Sequence, residues 1–328
     1  VHNDFNYTLK LKTGLARLLG VEISGLDFLA KGYRNSCYLV RLASGQELKG
    51  EQQLVLIVYK KESTILQKIK RAGKLGKALR IGGLPARTPV SDIIKLDHTP
   101  TYACLYNFLP GQTLPWEAFS KNHIKAIGQT MAKLHLAGRD VKLDHSAVTD
   151  FEQSIETSLR YLDRVEVKSA LQQKLGLTMH TTALKTALPK LISILTSLPQ
   201  INLHMDLVRS NLLFSPDKQI SGILDFEKCG QGPAVLDITR SLSFLLVDVE
   251  AKTPEKIVKY FIRSGYLKAA PTGSNMINLK LVNLLVNCFL VYDFYKFLKH
   301  NPYESLHDNR HFLRTRSYLI SSKLCANI

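Results

Sequence analysis

A two-lobed α+β fold, with a small antiparallel β-rich N-terminal lobe and a larger, mostly helical C-terminal lobe, is predicted by three observations. The 328 residues suffice for about two domains at roughly 150 residues each. β-Prone runs separated by turns fill the first hundred residues, whereas apolar residues at helical spacing dominate later. Between the regimes stands Leu109-Pro-Gly111, a breaker and natural boundary. We therefore expect an N-terminal lobe over 1–106 and a C-terminal lobe over 107–328.

The N-terminal elements follow from β-branched and aromatic runs. Ser36-Cys-Tyr-Leu-Val-Arg-Leu42 and Leu54-Val-Leu-Ile-Val-Tyr59 are strands around a Gly- and charge-bearing turn. Residues 62–81 are helical, weakened by Gly73 and Gly76. Two prolines punctuate 84–90 before the short strands Ile93-Ile-Lys-Leu96 and Tyr102-Ala-Cys-Leu-Tyr106. Beyond the boundary, Ile124, Ile127, Met131 and Leu134 recur at steps of three and four, giving one buried helix face. Helices at 151–165 and 184–198 continue the style, with Pro189 expected to start or kink the second. A strand-rich interlude spans 201–225, and helices follow near 234–248, 253–265 and 279–299.

Composition narrows the function classes. Apolar residues make up 45%, a globular level that excludes a chiefly disordered chain. Five scattered cysteines without a CxxC pair argue against a disulfide framework or structural zinc, and a reducing, cytoplasmic setting is expected. No secretory signal is recognised, and the apolar stretch 281–298 carries Asn283, Asn287, Asp293 and Lys296, which makes it a buried helix and no membrane span. Lys plus Arg exceed Asp plus Glu by 44 to 27, a formal charge of +17 that suits an anionic partner or a solvated surface.

The chemistry-bearing stretch is Asn202-Leu-His204-Met-Asp206-Leu-Val-Arg-Ser-Asn211-Leu-Leu-Phe214, followed by Gly222-Ile-Leu-Asp225-Phe-Glu227. A loop between short strands can converge Asp206, Asn211 and Asp225 on one point. Phosphoryl transfer needs such a set: one carboxylate to orient and deprotonate a hydroxyl, and a carboxylate plus an amide oxygen for Mg²⁺. Each of these residues is also a common turn-former, so the order and spacing of the whole set carry the weight.

With these motifs the chain resembles the aminoglycoside phosphotransferase and choline kinase-like family of small-molecule kinases, relatives of the protein kinases. His204-x-Asp206-x-x-x-x-Asn211 is similar to the family's catalytic loop, Ile223-Leu-Asp225-Phe-Glu to its metal-binding segment, and Gly232-Pro-Ala-Val-Leu-Asp237-Ile to the structural motif that follows. Leu134-His135, Tyr106-Asn-Phe-Leu-Pro-Gly111 and Gly83-Leu-Pro-Ala-Arg-Thr-Pro89 also match, so the likeness runs over about 28–245. The resemblance implies a kinase-like fold, ATP and Mg²⁺ as cofactors, and Asp206 as catalytic base. It implies Asn211 and Asp225 as metal ligands, with His204 and Asp237 as loop supports. The implied hinge for a purine lies around Tyr106 and Phe108. His135 is expected to be a satisfied core histidine.

The nucleotide-binding half departs from the family. Lys31-Gly-Tyr-Arg-Asn35-Ser36 occupies the phosphate-covering turn with a single glycine. On the next strand Ile57 stands where the family carries a phosphate-gripping Lys or Arg, and no acidic residue lies between Glu62 and Asp92 to pair with one. Lys60 could substitute through a shifted register, another basic side chain could reach in, or nucleotide binding is impaired. Substitution is favoured, because the metal and base positions are intact.

The implied function is ATP-dependent transfer of the γ-phosphoryl group to a hydroxyl of an amino alcohol, sugar or aminoglycoside-like small molecule. The main alternative is a catalytically weakened, kinase-like scaffold. It would bind an anionic partner through the basic 60–80 segment, where eight Lys and Arg face only Glu62. A protein acceptor is disfavoured by the lack of an activation-loop signature after Asp225. Specific nucleic-acid binding is disfavoured by the lack of stacking aromatics in that segment. For the acceptor pocket, Asp150, Glu152, Glu156, Asp163, Asp293, Glu304 and Asp308 are candidate carboxylates. Tyr292, Phe294, Tyr295 and Phe297 form either core or an aromatic wall for a methylated amine.

Overall fold

The computed structural model describes residues 5–31, 35–96, 101–270 and 278–327. Part of the 31–36 turn, residues 32–34, lies outside them. The chain divides into two units, Val1–Gly111 with Ser221–Glu227 and Gln112–Ile220 with Lys228–Ile328.

The first unit is built on a five-stranded antiparallel sheet. Its elements are α1 (Phe5–Leu19), β1 (Ile23–Lys31), β2 (Ser36–Leu42), β3 (Gln53–Val58), α2 (Ile65–Ile81), β4 (Ile94–Lys95) and β5 (Tyr102–Asn107), with strand order β1-β2-β3-β5-β4. The sheet is apolar on both faces, which explains the unbroken apolar run in β3. Leu54, Leu56 and Val58 pack on one side with Tyr38, Val40 and Leu105, sealed by Leu11 and Leu15 of α1. Tyr59, Cys104 and Tyr106 pack on the other with Ile65 and Ile69 of α2, and Ile57 lies against them. The helix α1 is absent from the sequence-based expectation, which treats this region as strands.

Gly73 and Gly76 have a packing reason. A Cβ on Gly76 would come within 2.7 Å of the Arg87 carbonyl oxygen, and one on Gly73 within 3.1 Å of Pro89. The segment between α2 and β4 crosses the helix at those two bare positions. Its other edge is zipped to the 221–227 stretch: Arg87 N–H donates to Ile223 O at 2.9 Å, and Ile223 N–H to Pro85 O at 2.8 Å.

The second unit contains α3 (Lys121–Gly138), α4 (Ala147–Leu162), α5 (Val165–Ala170), β6 (Leu177–Met179), α6 (Thr182–Ser197), β7 (Ile201–Leu203), β8 (Leu212–Phe214), the first residue of β9 (Ile220–Ile223), β10 (Gly230–Gly232), α7 (Ala234–Asp248), α8 (Pro254–Val258), α9 (Leu267–Ala269), α10 (Leu279–His300), α11 (Arg310–Ser321) and β11 (Cys325–Asn327). The hairpin β8–β9 carries the chain out of this unit at Ser221, and β10 pairs antiparallel with β7. Pro189 lies inside α6 rather than at its start. The helix α10 is long and apolar enough to cross a membrane, yet 56% of its most apolar window is buried, as in a core helix.

Candidate active site

The catalytic-loop candidate begins where β7 ends. His204, fully buried, and Met205 direct their backbone N–H groups at the carboxylate of Asp237, at 2.8 and 2.9 Å. Met205 has φ 63°, a left-handed conformation that costs a β-carbon-bearing residue about 1–2 kcal/mol. Asp237 holds that geometry from the first turn of α7. Its carboxylate also takes a hydrogen bond from His135 Nε2 at 3.0 Å, whose Nδ1 meets the Tyr266 hydroxyl at 2.9 Å. Burial works to raise the Asp237 pKa, but the His135 hydrogen bond and the donors around it prevail and hold it below the ordinary range. His135 is thus a satisfied core histidine whose role is to hold Asp237.

Asp206 follows the turn. Its N–H donates to His204 Nδ1 at 3.2 Å, which assigns the ring proton to Nε2. Asn211, at the end of a short 3₁₀ turn, donates from its side-chain amide to Asp206 O at 2.9 Å and to Asp206 Oδ2 at 3.3 Å. The amide nitrogen being occupied, its oxygen is the atom left for a hard cation. The other carboxylate oxygen, Oδ1, meets Lys228 Nζ at 2.7 Å. Burial pushes the Asp206 carboxyl up, yet the Lys228 ammonium, backed by Arg240 and His204, outweighs it, so the group is ionised at neutral pH.

Three cations near Asp206 escaped the sequence reading. Lys228 pairs with Asp206. Arg240, buried, makes a two-pronged bond to Asp293 at 2.7 and 3.0 Å, and its guanidinium covers the Phe244 ring at 3.9 Å. Lys296 is pulled below the ordinary lysine range by burial and by the Lys228 charge. Only their side-chain charge marks these residues in the sequence, and it is shared by 41 others among the 44 Lys and Arg.

Most of the candidate acceptor carboxylates prove to be engaged. Asp293 pairs with Arg240, Asp150 with His145 at 2.7 Å, Asp163 with Lys168 at 3.2 Å and with Lys185, and Glu304 with Lys174 at 3.0 Å. The aromatic cluster is largely core: Phe294 is fully buried and stacks on Phe312, and Tyr295 is buried beside Tyr161.

In the first unit, Asp225 is exposed and left-handed at φ 57°, its Oδ1 accepting from Glu227 N–H at 3.3 Å. Asn35 donates to Glu227 Oε1 at 2.6 Å and accepts from the Lys60 N–H at 3.3 Å, while Ser36 is buried at the start of β2. Lys60 is exposed beyond the end of β3. The β3 ladder pairs Leu54–Val58 with both neighbours without a register shift, so no bulge turns Lys60 onto the side of Ile57. The Tyr106 side chain is buried, its hydroxyl 2.5 Å from that of Tyr59. Asn107 N–H and Oδ1 are bonded to Thr88, and Phe108 is half-buried. Of the 60–80 cations, Lys70, Lys74 and Lys77 are exposed, Lys68 pairs with Glu62, Arg80 meets Glu51 at 3.0 Å, and Arg71 is buried.

The second unit thus carries a buried carboxylate on a pinned loop with an amide locked to it, and the first carries an exposed carboxylate on a left-handed residue, residue types that phosphoryl transfer uses. The sequence pattern of the phosphotransferase enzyme family matches residues 26–269. The chain belongs to that family. It is 26% identical over 238 residues to a homoserine kinase of Polaromonas naphthalenivorans, covering 70% of this chain and 68% of the relative. It is 23% identical over 257 residues to the homoserine kinase of Methylobacillus flagellatus, covering 77% and 73%. Among solved structures, a microcompartment-associated aminopropanol kinase superposes with a TM-score of 0.69 at 16% identity, over 96% of this chain and 98% of the other. The amicoumacin kinase hAmiN, solved in complex with AMP-PNP, Ca²⁺ and Ami, gives 0.66 at 15% identity over 97% and 94%. The chain is an ATP-dependent small-molecule kinase with the kinase-like fold that its sequence implies.

Proposed function

We propose that this kinase transfers the γ-phosphoryl group of ATP to a hydroxyl of a small amine- or amino-acid-like molecule, with Asp206 as the base. The observation that carries this reading is the Asp206 carboxylate, buried, held ionised by Lys228 and locked in place by Asn211. A carboxylate so fixed can align an acceptor hydroxyl and take its proton as the O–P bond forms. Lys228, paired with Asp206, would neutralise negative charge on the transferring group. Hydroxyl amino acids join amino alcohols as candidate acceptors because two relatives are homoserine kinases.

Asn211 and Asp225 would be the ligands of Mg²⁺, a hard cation that favours oxygen donors such as theirs and would neutralise phosphate charge when bound. His204 and Asp237 would hold the loop. Residues 1–106 would serve the nucleotide, with Asn35 and Ser36 near its phosphates and the backbone around Tyr106 and Phe108 beside its base. Residues 107–328 would carry catalysis and the acceptor.

The test is a Mg²⁺-dependent ADP-release screen over amino alcohols, hydroxyl amino acids, sugars and aminoglycosides. With the best acceptor, Asp206→Ala is expected to lose at least a thousandfold in kcat while MgATP affinity stays within about threefold. Undiminished turnover in that variant would sink the assignment.

A further inference from the structure

Ile57 leaves the first unit without the strand cation that nucleotide phosphates would need, and the same unit holds two arginines, Arg71 buried and Arg87 half-buried, whose hydrogen bonding is incomplete. Arg87 Nε and Arg71 Nε are both enclosed and without a partner. Arg71, on α2, makes one long bond to the Glu227 carbonyl at 3.3 Å. The Arg87 side chain donates no hydrogen bond to any described residue. A guanidinium has five donors in a planar fork, and an enclosed Nε–H left unmet, as at Arg87 and Arg71, is unfavourable unless an acceptor arrives.

The surroundings of Arg87 say which acceptor. Its electrostatic neighbours are Cys37, Tyr106, Tyr59 and Asp225. Cys37 pairs with Ile57 in the β2–β3 ladder, and Tyr59 and Tyr106 share the Ile57 face of the sheet. Arg87 therefore fills the side of the sheet from which Ile57 withholds a charge. Its backbone is anchored on both flanks, to Ile223 two residues before Asp225 and across the bare surface of α2 at Gly76. The α2 position that would carry a glutamate for a strand lysine has no use here, since an arginine whose backbone is anchored on both flanks needs no such partner.

We propose that Arg87 is the phosphate-binding cation of this kinase, supplied by the segment between α2 and β4 in place of a lysine at Ile57, with Arg71 as a positioning residue that holds the Asp225–Glu227 backbone. The assignment rests on the phosphotransferase reading given above. The fork matches two phosphate oxygens at once, which a lysine ammonium does not.

The experiment compares MgATP and adenosine binding by calorimetry in wild type, Arg87→Met, Lys60→Met and the double variant Ile57→Lys/Arg87→Met. Arg87→Met is expected to weaken MgATP at least tenfold, with adenosine within twofold and the double variant recovering at least threefold. Lys60→Met should bind like the wild type. Arg87→Met that binds MgATP within twofold of wild type, or a tenfold loss in Lys60→Met instead, overturns the assignment. Should Arg87→Met fail to fold, Arg87→Lys keeps the charge and loses the fork. It is expected to weaken MgATP three- to tenfold, and unchanged affinity would overturn the assignment as well. Wild-type protein that binds no MgATP would sink the phosphotransferase reading itself, whereas equal binding by wild type and Arg87→Met sinks only the role of Arg87.

Discussion

Lys228 sets the acidity of Asp206, the base proposed above. Burial alone would raise Asp206, and the ammonium 2.7 Å away reverses the sign. Lys228→Met should therefore let burial prevail, keep the carboxyl protonated to higher pH, and move the acid limb of the kcat/KM profile upward. An acid limb that stays in place would assign it to another group. Asp248 is the opposite case. It ends α7, where the helix dipole disfavours a carboxylate, and burial pushes its pKa from 3.8 to about 6. A folded value above the unfolded one means stability is full below the unfolded pKa and lost as pH rises through about 6. Asp248→Asn should then stabilise the protein at pH 7 by up to about 3 kcal/mol and flatten its stability between pH 4 and 7, as urea titrations would show.

At the scale of elements, α2 and the segment that crosses it act as one piece. Alanine or valine in a helix ordinarily gains against glycine by a few tenths to about 1 kcal/mol. At Gly76 a β-carbon meets the Arg87 carbonyl at 2.7 Å, so the backbone must move. Gly76→Val is expected to cost roughly 1–3 kcal/mol and to weaken MgATP several-fold, and a more stable variant with intact affinity would contradict this. The same helix shows what a sequence can and cannot disclose. Its glycines look like flaws, because the chain that needs them lies about ten residues downstream in another element. The helix α1 is hidden for a related reason: in Tyr7-Thr-Leu-Lys-Leu-Lys12 the apolar residues alternate as in a strand, and only packing of Leu11 and Leu15 on the sheet reveals the helical face. The candidate catalytic loop stands out in the sequence because its motif is local, with His204, Asp206 and Asn211 inside eight residues. Lys228, Arg240 and Arg87 do not, because their partners are fixed by tertiary structure.

For the whole molecule, +17 is the governing charge. Ion pairs engage part of it, and Lys70, Lys74 and Lys77 remain exposed on α2. Self-repulsion of such an excess weakens as the screening length shortens. Raising NaCl from about 20 to about 200 mM should lift the melting temperature while weakening MgATP binding, two opposite trends that one titration series would separate. A melting temperature that falls with salt would show that attractive pairs dominate instead.

The chain passes from one unit to the other at Gly111, returns at Ser221 and leaves again after Glu227. The seven returning residues include Asp225 and supply the backbone partners of Pro85 and Arg87, and Ser221 Oγ donates to Pro110 O at 2.7 Å. Residues 1–111 are therefore not a cassette. A recombination event that moved them into another gene would leave behind the stretch that closes their edge and the Asp225 carboxylate proposed for the metal.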